Sequence, residues 1–75
     1  MIVYVVVIND RHCDPQAYVW STAALAISYA KKQAASLAHR PEDISEEEID
    51  GWLWYATYGV EGDSVWVVER VLDEA

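Results

Sequence analysis

Three stretches predict a small α+β domain: an antiparallel sheet in β-β-α-β-β order with one main helix packed on one face. Residues 2–8 are an almost unbroken β-branched run. Residues 22–39 are rich in alanine at helical spacing. Residues 51–70 hold two aromatic and β-branched runs flanking a turn with Gly59, Gly62 and Asp63, the pattern of a β-hairpin. A chain of 75 residues is one domain, 1–75. At that length it buries only roughly 60% of the surface its unfolded form exposes.

The elements follow in order. Ile2-Val3-Tyr4-Val5-Val6-Val7-Ile8 reads as an interior strand, apolar on both faces. Asn9 to Pro15 is a polar connection ending in a turn signal. Gln16-Ala17-Tyr18-Val19-Trp20 is expected to pair back as a short second strand. Ser21 or Thr22 is the N-cap of a helix running to about His39 and ended by Pro41. Ala23, Ile27, Ala30, Ala34, Leu37 and Ala38 form its apolar stripe, with Leu25 and Tyr29 nearly opposite. Ser45 and Glu48 match a capping box, and Gly51 supplies a stop. A short acidic helix is therefore expected before the C-terminal hairpin, tethered by Ile44 and Ile49. In the hairpin, strict alternation puts Trp52, Trp54, Ala56 and Tyr58 on one face and Leu53, Tyr55 and Thr57 on the other. The tail Asp73-Glu74-Ala75 is expected to fray.

Composition bounds the function. Thirteen acidic and five basic residues give a formal net charge of −8. Lys31-Lys32 is the only basic pair, so the footprint for direct nucleic acid binding is missing. The acidic balance fits a basic partner, simple solubility or a salt-adapted host. A single cysteine, Cys13, forms no intrachain disulfide and fits a reducing compartment. The apolar start stops at Asn9, lacks a positive flank and falls far below the ~20 residues that span a bilayer. A cytosolic location with no membrane association is the expectation.

One helix covers one sheet face, and neither residues 2–8 nor 52–58 show the polar alternation of a solvated second face. An apolar surplus rich in Trp and Tyr marks an interface. Two occupants fit: a second copy packed sheet to sheet, or a partner protein. The competing reading is that a chain with no Phe uses Trp and Tyr for its core. The candidate apolar anchors are Trp52, Trp54, Tyr58 and Trp66. The candidate electrostatic patch is Glu42, Asp43, Glu46, Glu47, Glu48 and Asp50, six carboxylates within nine residues. Carboxylates spaced on a rigid frame imitate DNA phosphates, and their contacts weaken with salt. The plain alternative is a solvated acidic face.

Catalytic signals are weak. Asp10-Arg11-His12-Cys13-Asp14 groups zinc-type ligands, but no second cluster completes a site. His12 and Cys13 are adjacent and so point apart on an extended chain, against a nucleophile–base pair. Glu61, Asp63 and Glu69 border a turn rather than a carboxylate dyad. Gly59-Val60-Glu61-Gly62 lacks the lysine and the following helix of a phosphate loop. The expectation is a non-enzyme with no cofactor and no metal. The alternatives are a small metal- or cysteine-dependent enzyme using the Asp10–Asp14 loop, or a structural homodimer with no inhibitory role.

The segments Glu61-Gly62-Asp63-Ser64-Val65-Trp66-Val67-Val68-Glu69-Arg70 and Val3-Tyr4-Val5-Val6-Val7 look like parts of small uncharacterised bacterial and phage proteins. The build (short, acidic, one domain, no catalytic signature) is similar to that of phage-encoded inhibitors of host defence, including anti-CRISPR proteins. That resemblance implies a protein that binds and occludes a nucleic-acid-binding complex.

Overall fold

The computed structural model describes residues 1–10, 15–38, 40–58 and 63–71. It is an α+β domain in which one helix lies across a five-stranded antiparallel sheet. The strands are β1 (Ile2–Asn9), β2 (Gln16–Trp20), β3 (Ser45–Glu46), β4 (Trp54–Tyr58) and β5 (Asp63–Val71), and the helix is α1 (Ala23–Leu37). Their order across the sheet is β2-β1-β5-β4-β3. The first and last strands run side by side over eight residue pairs, from Ile2 opposite Val71 to Asn9 opposite Ser64. This pairing joins the N-terminal β1–β2 ladder to the C-terminal β4–β5 ladder.

The covered face is set by register. Val6 stands opposite Val67 and Tyr18, and Ile8 opposite Val65. Trp54 stands opposite Val67, and Ala56 opposite Val65. Val6, Ile8, Val65 and Val67 are buried beneath Ala26, Ala30 and Ala34 of α1. Those three alanines recur every fourth residue, so the helix presents a smooth stripe and lies close on the sheet. The buried stripe is thus turned from the expected one. Ala26 belongs to it, whereas Leu37 is exposed; Leu25, expected off the stripe, is exposed as well. Tyr29 covers a flank: its ring meets Tyr18 at 5.2 Å and Trp20 at 5.1 Å.

Thr22 is the N-cap, its hydroxyl accepting from the Leu25 N–H at 3.2 Å. At the other end the Ala38 N–H donates to the Ala34 carbonyl at 3.0 Å. Pro41 then holds Arg40 extended, at φ −141° and ψ 146°.

The acidic segment departs from expectation. No helix spans 45–50. Pro41–Asp43 forms a single 3-10 turn, and Ser45–Glu46 is a two-residue strand. The reason is the edge of β4. Ser45 pairs with Thr57 and Glu46 with Ala56, and the Glu47 N–H donates to the Tyr55 carbonyl at 3.0 Å. An unpaired strand edge offers main-chain partners that a two-turn helix does not, and short isolated helices are marginal. Of the two expected tethers, Ile44 packs against the core, while Ile49 lines a cleft between β3 and β4. Gly51 is a turn residue rather than a helix stop. It sits at φ +89°, beside a bond from the Trp52 N–H to the Ile49 carbonyl at 3.1 Å.

Candidate interaction site

The segment from Glu46 to Trp54 turns back on itself between β3 and β4 and encloses an open cleft of about 870 Å³. Its wall holds Glu46, Glu47, Glu48 and Asp50 together with Ile49, Trp52 and Trp54. Four of the six acidic candidates and two of the four aromatic candidates thus meet at one place. Glu47, Glu48 and Asp50 are exposed. Among the ion pairs of the described residues none involves these three; Arg40 faces Glu42 and Asp43 at 3.9 and 3.7 Å instead. Glu42 and Asp43 lie on the 3-10 turn and are not part of the cleft wall.

Trp54 and Glu46 are joined to each other. The Trp54 Nε1–H donates to Glu46 Oε1, tying the indole to the edge strand. Trp54 also packs against the core, and it walls a smaller hollow of about 220 Å³ with Lys31, Ala34, Ile44 and Glu46. Its ring is therefore anchored, and Glu46 is already engaged.

Trp52 corrects the expected alternation. Its ring stacks on Trp66 at 5.2 Å with planes 13° apart and meets Tyr55 at 5.2 Å. Trp66 and Tyr55 are cross-strand partners on the face away from α1. Trp52 therefore lies with Tyr55, not with Trp54 and Tyr58. The cause is local. Extending the register would place Leu53 opposite Val68, yet the Leu53 N–H donates to the Val67 carbonyl at 2.9 Å. The ladder steps there as at a bulge, and side chains before the step change face. Tyr55 was not among the sequence candidates; its pairing with Trp66 across β4–β5 is the signal that finds it.

The four aromatic candidates thus divide. Trp52 and Trp66 are half-buried on the open face, in an aromatic cluster with Tyr55. Trp54 is on the helix face. Tyr58 is 2% exposed, and its hydroxyl donates to Asp10 Oδ2 at 2.8 Å, itself a buried carboxylate. On the opposite flank, burial pushes the Tyr29 phenol above its ordinary value of 10.0, and the neighbouring Tyr18 hydroxyl adds to the rise.

Arg11, His12, Cys13 and Asp14, His39, the turn 59–62 and the tail 72–75 lie outside the described residues. Among the described residues no three His, Cys, Asp or Glu converge as metal ligands, and no helix is long and apolar enough to cross a membrane. Comparison with protein-family models, with curated proteins and with solved structures finds no match to this chain.

Proposed function

We propose that the chain is a small acidic protein-interaction module that binds a basic partner surface through the β3–β4 cleft and occludes it. One observation carries this reading: the carboxylates of Glu47, Glu48 and Asp50, which make no ion pair among the described residues, share a cleft with the indoles of Trp52 and Trp54. Carboxylates beside half-buried aromatic rings match the chemistry of Lys and Arg side chains, through charge and through contact of a cation with a ring. The low count of basic residues supports a partner that supplies the positive charge. A nucleic-acid-binding groove is such a surface, and an inhibitor that fills the groove of a host defence complex, of phage or mobile-element origin, is the concrete form of the proposal. No catalytic role is assigned.

The test is affinity capture from the native host with mass spectrometry, comparing the unaltered chain with a Glu47→Lys/Glu48→Lys variant. Glu46 is left intact because it holds Trp54. The expected result is a basic, nucleic-acid-binding partner retained by the first and lost by the second, with release by added salt. Equal capture by both would reject the acidic cleft as the binding site.

A further inference from the structure

The two ends of the sheet are built differently. At one end β3 is two residues long and is followed directly by Glu47 and Glu48, so charge and brevity guard that edge. At the other end β2 has five residues, with no charge and no proline among them. Only β1 pairs with it among the described residues, and Gln16, Ala17, Tyr18 and Val19 are exposed. Alternate residues of such a strand direct their N–H and C=O groups away from the sheet.

The uncharged character extends past the strand. Residues 15–30 contain no Asp, Glu, Lys or Arg, in a chain with thirteen acidic and five basic residues. The uncharged strands β1 and β4 are both flanked on two sides, which leaves β2 as the uncharged edge. Val19 is 65% exposed and Leu25 52% exposed. Leu25 lies one helical turn before Tyr29, which packs on Tyr18 and Trp20, so it stands on the stripe of α1 that flanks β2.

We infer that the free edge of β2 is a self-association surface on which a second copy of this chain docks. The two β2 strands pair antiparallel about a two-fold axis centred near Tyr18. Gln16 then faces Trp20 of the second copy, and Ala17 faces its Val19. This arrangement is self-complementary, as a two-fold interface requires. It also answers the charge problem that a net −8 poses for a second copy. Five strands at about 4.8 Å spacing put the acidic loop on the order of 19 Å from the β2 edge. Across a continuous ten-stranded sheet the two acidic loops stand on the order of 43 Å apart, several times the Debye length of about 8 Å at physiological salt. Among the described residues 15–30 no carboxylate is present for a basic partner to meet, which favours a second copy as the occupant of this edge. The inference is independent of the reading of the acidic cleft.

Sedimentation equilibrium of the full chain tests it, with circular dichroism to confirm folding. The expected mass is about twice 8.5 kDa at micromolar concentration. Val19→Lys and, separately, Leu25→Lys are exposed substitutions and should keep the fold while weakening association by roughly tenfold or more. Glu47→Lys/Glu48→Lys should leave the dimer intact, which separates this test from that of the cleft. A monomer of the unaltered chain, or a dimer indifferent to both lysines, would overturn the inference. So would a dimer dissolved only by Trp66→Lys, which would place the contact on the open sheet face.

Discussion

Tyr58 and Trp52 are aromatic residues six positions apart with different surroundings. Tyr58 lies opposite Asp63 on the covered face, almost wholly buried, with its hydroxyl on the Asp10 carboxylate at 2.8 Å. A hydrogen bond contributes about 0.5–1.5 kcal/mol net, rising to about 3 kcal/mol where a partner is charged. Tyr58→Phe keeps the ring and removes only that donor. It should lower unfolding free energy by about that amount in a urea titration, with an unchanged m-value. A midpoint equal to the unaltered chain's would mean that the hydroxyl is replaced without cost. Trp52 instead spends one ring face on Trp66, and its surroundings include the carboxylates of the cleft. Both residues fitted the same aromatic pattern; only tertiary context separates a core phenol from a cleft indole.

At the scale of elements, regular periodicity was legible and local competition was not. The β-branched run of β1, the alanine helix and the C-terminal strands announce themselves because each satisfies its main chain within a repeating pattern. The acidic segment misleads because Ser45 and Glu48 fit a capping box, while the outcome depends on the open edge of β4, which lies elsewhere in the chain. The face of Trp52 was hidden for a related reason: one main-chain bond from Leu53 to Val67 steps the ladder, and alternation counted from Trp54 fails before it. The cleft itself was half legible. Its acids and tryptophans were read as separate candidates, and the turn at Gly51 brings them together. That turn supplies a test. Gly51 has φ +89° and open space where a Cβ would project, so an added methyl meets backbone strain and no clash. Gly51→Ala should cost about 1–2 kcal/mol, and Gly51→Asn less, since Asn tolerates positive φ. Thermal melts of the two variants check the order; equal stability of all three chains would mean the turn relaxes to negative φ.

For the molecule as a whole, the distribution of charge decides how it responds to salt. The net charge of −8 is held within a domain of 42 × 23 × 20 Å. At 0.01 M ionic strength the Debye length is about 30 Å, longer than the two shorter dimensions, so excess carboxylates repel one another across most of the domain. At 0.15 M it falls to about 8 Å, and only close neighbours, such as those of the acidic loop, still interact. The unfolded chain spreads the same charges further apart, so repulsion penalises the compact state and screening relieves it. The melting temperature should therefore rise with NaCl between these concentrations and level off above them. Glu47→Lys/Glu48→Lys adds +2 at each position and takes the net charge from −8 to −4. That variant should melt above the unaltered chain at low salt, and the two should converge once screening is complete. Its raised stability would be coupled to lost partner binding, the signature of carboxylates kept for recognition at a cost to the fold. A melting temperature that falls with salt, or parallel salt slopes for the two chains, would show that the acidic loop is not where the repulsion resides.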